Sequence, residues 1–186
     1  GFRNQDVNGT VELQRKYNPF NKGQFSINAG RNFEYIYAGD AWINVLKRSN
    51  IYLNTSLQAG HELEIFNGVT LMNEFQIAFR RSVADYKVGN NADSIFGLAN
   101  EPAVDFDPYN ATYNQVKLYI TPRMRYIREP KEKIHLGSKW PTFYVLWKKG
   151  IKGLFKSEID FDYLEFGMEQ HINLGVAGNM NYNFKT

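Results

Sequence analysis

The chain has 186 residues, a formal net charge of +3 and 16% aromatic residues, and hydrophobic residues make up only 43% of it. This composition favours strands over helices, and the absence of cysteine excludes disulfides and thiolate metal sites. The charge is too small, and its lysines and arginines too scattered, to indicate a nucleic-acid-binding surface.

Strand patterns occupy the first half of the chain. Residues 69–81 alternate between apolar side chains such as Phe75 and Ile77 and polar ones such as Glu74 and Gln76, which predicts a strand with one apolar face. Just before it, residues 61–66 alternate in the same way, and Asn67-Gly68 predicts a type I′ hairpin turn between the two. Weaker strand patterns lie at 8–17, 23–37, 50–60, 140–149 and 178–186, and residues 38–49 resemble a short helix within a loop.

Two further segments alternate clearly in the second half. Residues 114–126 predict one strand with Lys117, Arg123 and Arg125 on its polar face, and Pro122 is expected at a bulge or a weakly paired point. Residues 161–176 predict a strand of about 16 residues, although a usual globular strand has roughly 5 or 6. About eight strands are predicted in total.

The predicted connections alternate between tight turns and long polar loops, of which residues 82–112 form the longest. No run of about 18 apolar residues is present, which excludes a helical membrane span, whereas a strand of a membrane barrel needs only roughly 9 to 11 alternating residues. Long strands with alternating connections are typical of an outer-membrane β-barrel with its short turns on the periplasmic side. A soluble β-sandwich would have shorter strands.

Periodicity alone cannot orient the two faces of such strands. A soluble barrel keeps its apolar face inside, whereas a membrane barrel turns that face to lipid. Aromatic residues at strand ends favour the membrane barrel, because interfacial girdles require them there. These residues are Tyr113, Tyr126, Trp140, Phe143, Tyr144 and Trp147.

Three stretches, HELEIFNGVTL, ITPRMRYIREPKEKIHLGSKWPTFYVLWKKGIKGLF and DFDYLEFGMEQHINLG, resemble a known family. It is the uncharacterised DUF5686 family of outer-membrane proteins in Bacteroidota, and the most specific block runs from Arg123 to Phe155. The resemblance spans most of residues 50–176 and is poor before about residue 35 and in the loop 82–112.

The resemblance implies an antiparallel transmembrane β-barrel related to the Omp85 class, located in the outer membrane of a Gram-negative bacterium. Members of the family usually carry a carboxypeptidase-regulatory-like domain ahead of the barrel. We therefore expect residues 1–186 to be a partial barrel domain, without the amino-terminal domain and the final strands. The expected function is a non-enzymatic scaffold or an assembly or transport component. The expected partner is outer-membrane lipid, and a complex with other outer-membrane proteins is a further option. Neither a nucleic-acid partner nor a cofactor is expected.

In a membrane barrel the polar parity lines the lumen and the apolar parity contacts lipid. A charged lumen could select solutes or hold a plug, but mutual pairing of the charges across a narrow barrel is the favoured interpretation. The candidate lumen-facing residues are Lys117, Arg123, Arg125, Glu165, Glu169 and His171, and the candidate lipid-facing residues are Val116, Leu118, Ile120, Leu164, Phe166 and Ile172.

Catalytic and metal-binding signals are weak. His61, His135 and His171 fall on different predicted segments without metal-ligand spacing, so no metal site is predicted. Catalysis would need a serine, a histidine and an orienting group meeting at one place, and no such set is evident. The tripeptide Asp93-Ser94-Ile95 resembles the O-glycosylation pattern of Bacteroidota, which makes Ser94 a candidate acceptor. The alternative function is a soluble β-barrel or β-sandwich that binds an apolar ligand or a glycan.

Overall fold

The computed structural model describes residues 2–3, 6–36, 51–84, 104–173 and 178–186. Within them no helix is long and apolar enough to cross a membrane. The same described residues contain two short 3-10 helices, at Pro19–Asn21 and Leu154–Lys156. The strands are β1 (Phe2–Arg3), β2 (Asp6–Val7), β3 (Gly9–Asn18), β4 (Gly23–Tyr35), β5 (Ile51–Phe66), β6 (Val69–Arg81), β7 (Tyr109–Ile120), β8 (Arg125–Arg128), β9 (Lys133–Gly137), β10 (Thr142–Gly150), β11 (Phe161–Asn173) and β12 (Asn179–Lys185).

Eight of these strands form one antiparallel sheet in the order β12-β11-β10-β7-β6-β5-β4-β3. Every strand therefore pairs with the neighbour in the chain, apart from the interruption by β8 and β9, which form a separate hairpin. The all-β prediction with about eight antiparallel strands is confirmed. The sheet is not closed, because β3 and β12 are its two edges and do not pair with each other in the described part of the chain.

The patterned segments match the strands closely in the first half of the chain. The strand predicted at residues 69–81 is confirmed as β6, and the weaker patterns at 8–17 and 23–37 are confirmed as β3 and β4. The patterns at 50–60 and 61–66 belong to a single strand, β5, which is 16 residues long. The segment 38–49, predicted as a helix, lies outside the described residues.

The strand predicted at residues 114–126 is wrong at its carboxyl end. Strand β7 stops at Ile120, and Arg125 begins a different strand. The physical reason lies in Pro122, which has no N–H for the ladder, and in Arg123, whose φ of 52° reverses the chain direction. The hydroxyl of Ser138 donates to the Pro122 carbonyl at 2.5 Å, which fixes this break.

The turn at Asn67-Gly68 joins β5 and β6 as predicted, but it is not of type I′. Gly68 has a φ of 81°, whereas Asn67 is not among the described non-glycine residues with positive φ, and type I′ needs positive φ at both. Contacts beyond the hairpin determine this geometry. The N–H of Thr121 donates to the Gly68 carbonyl at 2.7 Å, and the Asn67 amide donates to the Met124 carbonyl at 2.7 Å.

The connections separate into two kinds at opposite ends of the sheet. The short-turn end carries residues 19–22 and 67–68. At the long-loop end β4, β6 and β10 end, and β5, β7 and β11 begin. The connection 121–141 is an exception to the predicted alternation: it is long but lies at the short-turn end, because it contains the hairpin of β8 and β9. We call residues 121–141 the insertion.

The register of the sheet defines two faces. One face, which we call the apolar face, carries the odd-numbered residues of β3–β6 and β10 and the even-numbered residues of β7, β11 and β12. The residues of opposite parity form the other face, which we call the polar face. Leu53 on the apolar face is buried against Val83, but over most of the sheet the burial of the two faces is the reverse of that in a soluble protein. On the apolar face Leu13 is 67% exposed and Leu57 is 50% exposed, whereas on the polar face Asn54 is only 1% exposed and Gln76 only 7%.

Candidate functional site

The polar face is the part of the sheet on which chemically active side chains meet. Cross-strand pairing places Asn28, Gln58, Gln76 and Tyr113 side by side on four adjacent strands. The Tyr113 hydroxyl donates to the Gln76 side-chain oxygen, so neighbouring strands are also joined through their side chains. The row is uncharged and polar, and charged groups lie on either side of it.

Two lysines of the polar face contact tyrosine rings. The ammonium of Lys117 lies 4.1 Å from the ring centre of Tyr144 and 4.5 Å from that of Tyr119. Lys148 lies 3.8 Å above the ring of Tyr113 in the same manner. Such cation–π contacts stabilise a partly buried charge without removing it. The polar face therefore carries lysine charges that are stabilised by tyrosine rings.

Carboxylates of the same face are held by tyrosine and amide donors. Glu34 accepts from the Tyr52 hydroxyl at 2.7 Å and from the Asn54 amide at 2.6 Å. Glu165 accepts from the hydroxyls of Tyr144 at 2.8 Å and Tyr163 at 2.5 Å. Charged groups on this surface thus interact largely through neutral aromatic neighbours.

Two of the lumen candidates, Lys117 and Glu165, are connected through one tyrosine. Pairing of charges across a closed barrel stays a prediction, because the sheet of the described residues is open. In the described ranges Lys117 contacts two tyrosine rings, and Glu165 accepts from tyrosine hydroxyls. Tyr144 is common to both, because its ring contacts the cation and its hydroxyl donates to the carboxylate.

One carboxylate, Glu64 of β5, forms a buried ion pair with the insertion. Its Oε2 lies 2.5 Å from the Lys133 ammonium, and the two side chains are only 2% and 4% exposed. Its Oε1 lies 3.1 Å from His135 Nε2 and also accepts the N–H of Gly68 at 2.9 Å. Both Lys133 and His135 belong to β9, so these contacts fasten the hairpin across the short-turn end of the polar face.

Aromatic residues complete the attachment of the hairpin. The guanidinium of Arg128 lies 5.1 Å from the ring centre of Phe20, in the turn between β3 and β4. Lys133 also lies 4.5 Å above the ring of Tyr126, which places its charge between an aromatic ring and Glu64. The insertion is therefore bound to two separate turns of the sheet.

Two cavities open on this part of the molecule. One of about 330 Å³ lies among β3–β7 and is lined by Gln24, Glu62, Glu74 and Lys117, among others. A second of about 560 Å³ lies between the insertion and β11–β12, with Trp140 and His171 in its lining. Both are open and have polar and apolar groups in their linings.

The sequence-derived lumen candidates divide into two groups. Lys117, Glu165, Glu169 and His171 lie on the polar face, as their parity predicts. Arg123 and Arg125 do not share that strand face, since both lie in the insertion and are exposed. The six lipid candidates, Val116, Leu118, Ile120, Leu164, Phe166 and Ile172, all lie on the apolar face.

Several expectations about individual residues change with the structure. Tyr113 and Tyr144, predicted as girdle residues, are buried on the polar face, whereas Phe143 and Trp147 are exposed on the apolar face. His171 contacts Asn181 on the neighbouring strand. Within the described ranges no group of three or more His, Asp or Glu residues could hold a metal ion. Ser94 lies outside those ranges.

Sequence analysis missed the role of Glu64 and Lys133. The two residues are 69 positions apart, and each sits in a strand whose alternation only indicates a polar side chain. A weak signal existed in the position of Glu64 just before an Asn-Gly turn, because a carboxylate there can accept the exposed turn N–H.

The fold and the site together define an all-β protein with one eight-stranded antiparallel sheet, whose polar face is the more buried one. The chain belongs to the family described as "Family of unknown function (DUF5686) C-terminal domain", which matches residues 1–186. Membership of the DUF5686 family, inferred from the sequence, is confirmed, and the match also includes the residues before 35 and the loop 82–112. Comparisons with curated proteins and with solved structures gave no match.

Proposed function

We propose that this chain is part of an integral outer-membrane β-barrel that acts as a scaffold or as an assembly or transport component, without a catalytic step of its own. In this proposal the apolar face contacts lipid, and the polar face lines an aqueous lumen. The partners are outer-membrane lipid and, where the protein works in a complex, other outer-membrane proteins.

The observation that carries the proposal is the exposed apolar face. Its large side chains extend over the whole width of the sheet, from Leu13 on one edge strand to Phe184, 63% exposed, on the other. Monomeric soluble proteins rarely expose contiguous apolar patches above a few hundred Å². In lipid the same surface needs no further cover, because hydrocarbon tails are as apolar as leucine.

The dimensions of the sheet support a membrane position. A strand of 13 residues, such as β4, β6 or β11, is roughly 43 Å long at about 3.3 Å per residue. Tilted by about 40°, it still crosses a hydrocarbon core of about 30 Å. Most strands of the sheet therefore have the length that a spanning strand needs.

One buried polar residue on the apolar face, Thr112, has hydrogen-bond partners in a connection that covers it. Thr112 of β7 lies on that face, and the connection 151–160 covers it. Its N–H donates to the Ser157 hydroxyl at 3.0 Å, and its own hydroxyl donates to the Leu154 carbonyl at 3.1 Å. Lipid offers no hydrogen-bond partners, so such coverage supports the proposal.

The two free edges indicate how the barrel would close. Unpaired N–H and C=O groups on β3 and β12 would be costly in hydrocarbon, so the proposal requires them to pair. We infer that further strands of the same protein pair with these edges and complete a larger barrel. On the basis of the family resemblance, the proposal also includes that the barrel is related to the Omp85 group and that a carboxypeptidase-regulatory-like domain precedes it.

Orientation follows from the lengths of the connections. Bacterial outer-membrane barrels place short turns in the periplasm and long loops outside the cell. The short-turn end, with the 67–68 turn, then faces the periplasm, and the opposite end, where β6 ends and β7 begins, faces outward. The insertion would cover the periplasmic mouth of the lumen.

Extraction and gel migration test the proposal. The complete protein is expected in the outer-membrane fraction, to need detergent for extraction, and to migrate differently on gels before and after boiling. Recovery of the complete protein in buffer without detergent would contradict the proposal and favour a soluble β-barrel or β-sandwich that binds an apolar ligand or a glycan.

A further inference from the structure

Basic residues are concentrated in the insertion, although they looked scattered along the sequence. Residues 121–141 contain three arginines and three lysines against two glutamates, a net charge of +4, whereas the whole chain carries only +3. Lys133 is neutralised by Glu64, but the other cations are exposed. They are Arg123, Arg125, Arg128, Lys131 and Lys139.

The hairpin within the insertion has one attached face and one open face. Lys133 and His135 point to Glu64 and hold the hairpin on the sheet. Ile127 and Ile134 are register partners on the opposite face, and they remain 50% and 40% exposed. A pair of large aliphatic side chains is thus presented among cations, at the short-turn end, beyond the strands of the main sheet.

The backbone of the hairpin has no further paired strand in the described part of the chain. In the described part of the chain β8 and β9 pair only with each other, so each strand keeps one edge with unpaired N–H and C=O groups. Such an edge is a template for another extended chain. An added strand would gain main-chain hydrogen bonds from the edge and specificity from the side chains beside it.

We propose that the insertion is a docking surface for an acidic polypeptide segment that adds to the β8–β9 hairpin as a third strand. The apolar residues of the segment would contact Ile127 and Ile134. Its carboxylates, which alternation places on the other face, would be attracted by the cations at the two ends of β8, Arg125 and Lys131. Charge complementarity selects this occupant, because an excess of exposed cations attracts acidic partners and repels basic ones. The inference does not depend on the position of the sheet in a membrane.

A binding measurement with the complete protein in neutral detergent tests the inference. The probe is a fluorescent ten-residue peptide in which glutamate alternates with valine, and the comparison peptide has the same composition with its glutamates grouped together. We expect the alternating peptide to bind at least tenfold more tightly than the grouped one. Binding should weaken with added salt.

Two variants and a matched control locate the surface. Arg125→Glu/Lys131→Glu should weaken binding of the alternating peptide at least tenfold, and Ile127→Asn, which leaves every charge in place, should weaken it severalfold. Lys152→Glu/Lys156→Glu changes charge equally in the exposed connection at the opposite end and should stay within twofold of the wild type. Unchanged gel migration of each variant verifies its fold.

Three results would overturn the inference. Equal binding of the two peptides would show general charge attraction without an added strand. Unchanged binding by Arg125→Glu/Lys131→Glu would place the site elsewhere. Tight binding to vesicles of anionic phospholipid, with no displacement by the alternating peptide, would assign the surface to lipid. None of these results depends on whether the protein fractionates with the outer membrane.

Discussion

Glu64 holds the insertion on the sheet, so replacing it should clearly lower the stability of the protein. Glu64→Gln leaves the ammonium of Lys133 buried without its counter-charge, because Lys133 is only 4% exposed. We expect a loss of about 3 to 5 kcal/mol in the free energy of unfolding, measured by urea titration of the detergent-solubilised protein. Glu132→Gln, on the exposed tip of the same hairpin, should change it by less than about 0.5 kcal/mol.

A double variant separates the ion pair from general damage. In Glu64→Gln/Lys133→Met both charges are gone, and a neutral pair avoids the cost of an isolated buried charge. Stability should recover by more than half of the loss seen in Glu64→Gln. Additive losses in the two single variants and the double variant would show that the two side chains do not interact.

Gly68 and Gly153 form a matched pair of glycines, with φ values of 81° and 83°. A Cβ at Gly153 meets nothing within 4 Å, whereas a Cβ at Gly68 would lie 2.3 Å from the Thr121 carbonyl oxygen. Gly153→Ala should cost about 1 kcal/mol through backbone strain alone. Gly68→Ala should lower the free energy of unfolding clearly more in the same urea titration. Equal losses in the two variants would mean that the 67–68 turn is not in close contact with the insertion.

Strand β5 allows the two faces to be compared at adjacent positions. Leu57 is half exposed on the apolar face, and Gln58 follows it on the polar face near the middle of the strand. In lipid, Leu57→Lys should cost about 2 to 4 kcal/mol, because a charge near the bilayer midplane must leave water, and Gln58→Lys should cost less than about 1 kcal/mol.

Assembly of the two β5 variants into membranes is the measurement. Cells that express Leu57→Lys should contain less heat-modifiable protein in the outer-membrane fraction, and those that express Gln58→Lys should resemble the wild type. If Leu57→Lys assembled normally, the exposed leucine would be facing water, and the lipid assignment would fail.

Local sequence patterns predicted a strand correctly where apolar and polar side chains alternate along it without interruption, as in β6. They failed at Ile120, because the apolar parity continues through Met124 and Tyr126 even though the chain turns at Pro122. Hairpin pairing of β8 with β9 then recruits residues that the pattern had assigned to β7. Alternation reports which side a residue faces, but not with which strand it pairs.

At the scale of the whole molecule, the sequence predicted one apolar and one polar face but could not orient them. The structure adds that the polar face is the more buried one, a property that depends on pairing across eight strands. The attachment of the insertion to the sheet could not be predicted from the sequence either, because it joins β5 to a hairpin about 70 residues further along the chain. The tyrosine that connects Lys117 with Glu165 likewise belongs to a third strand.

The central claim is that the apolar face contacts lipid, and spin labelling along β5 tests it most directly. This chain contains no cysteine, so single cysteines can be placed from Thr55 to Gly60 in the complete protein, after any cysteine outside this chain is replaced, and labelled in vesicles. Oxygen, which concentrates in hydrocarbon, should relax the labels at positions 55, 57 and 59, whereas a water-soluble nickel complex should have little access to them. Efficient relaxation of the labels at 55, 57 and 59 by the nickel complex would contradict the account.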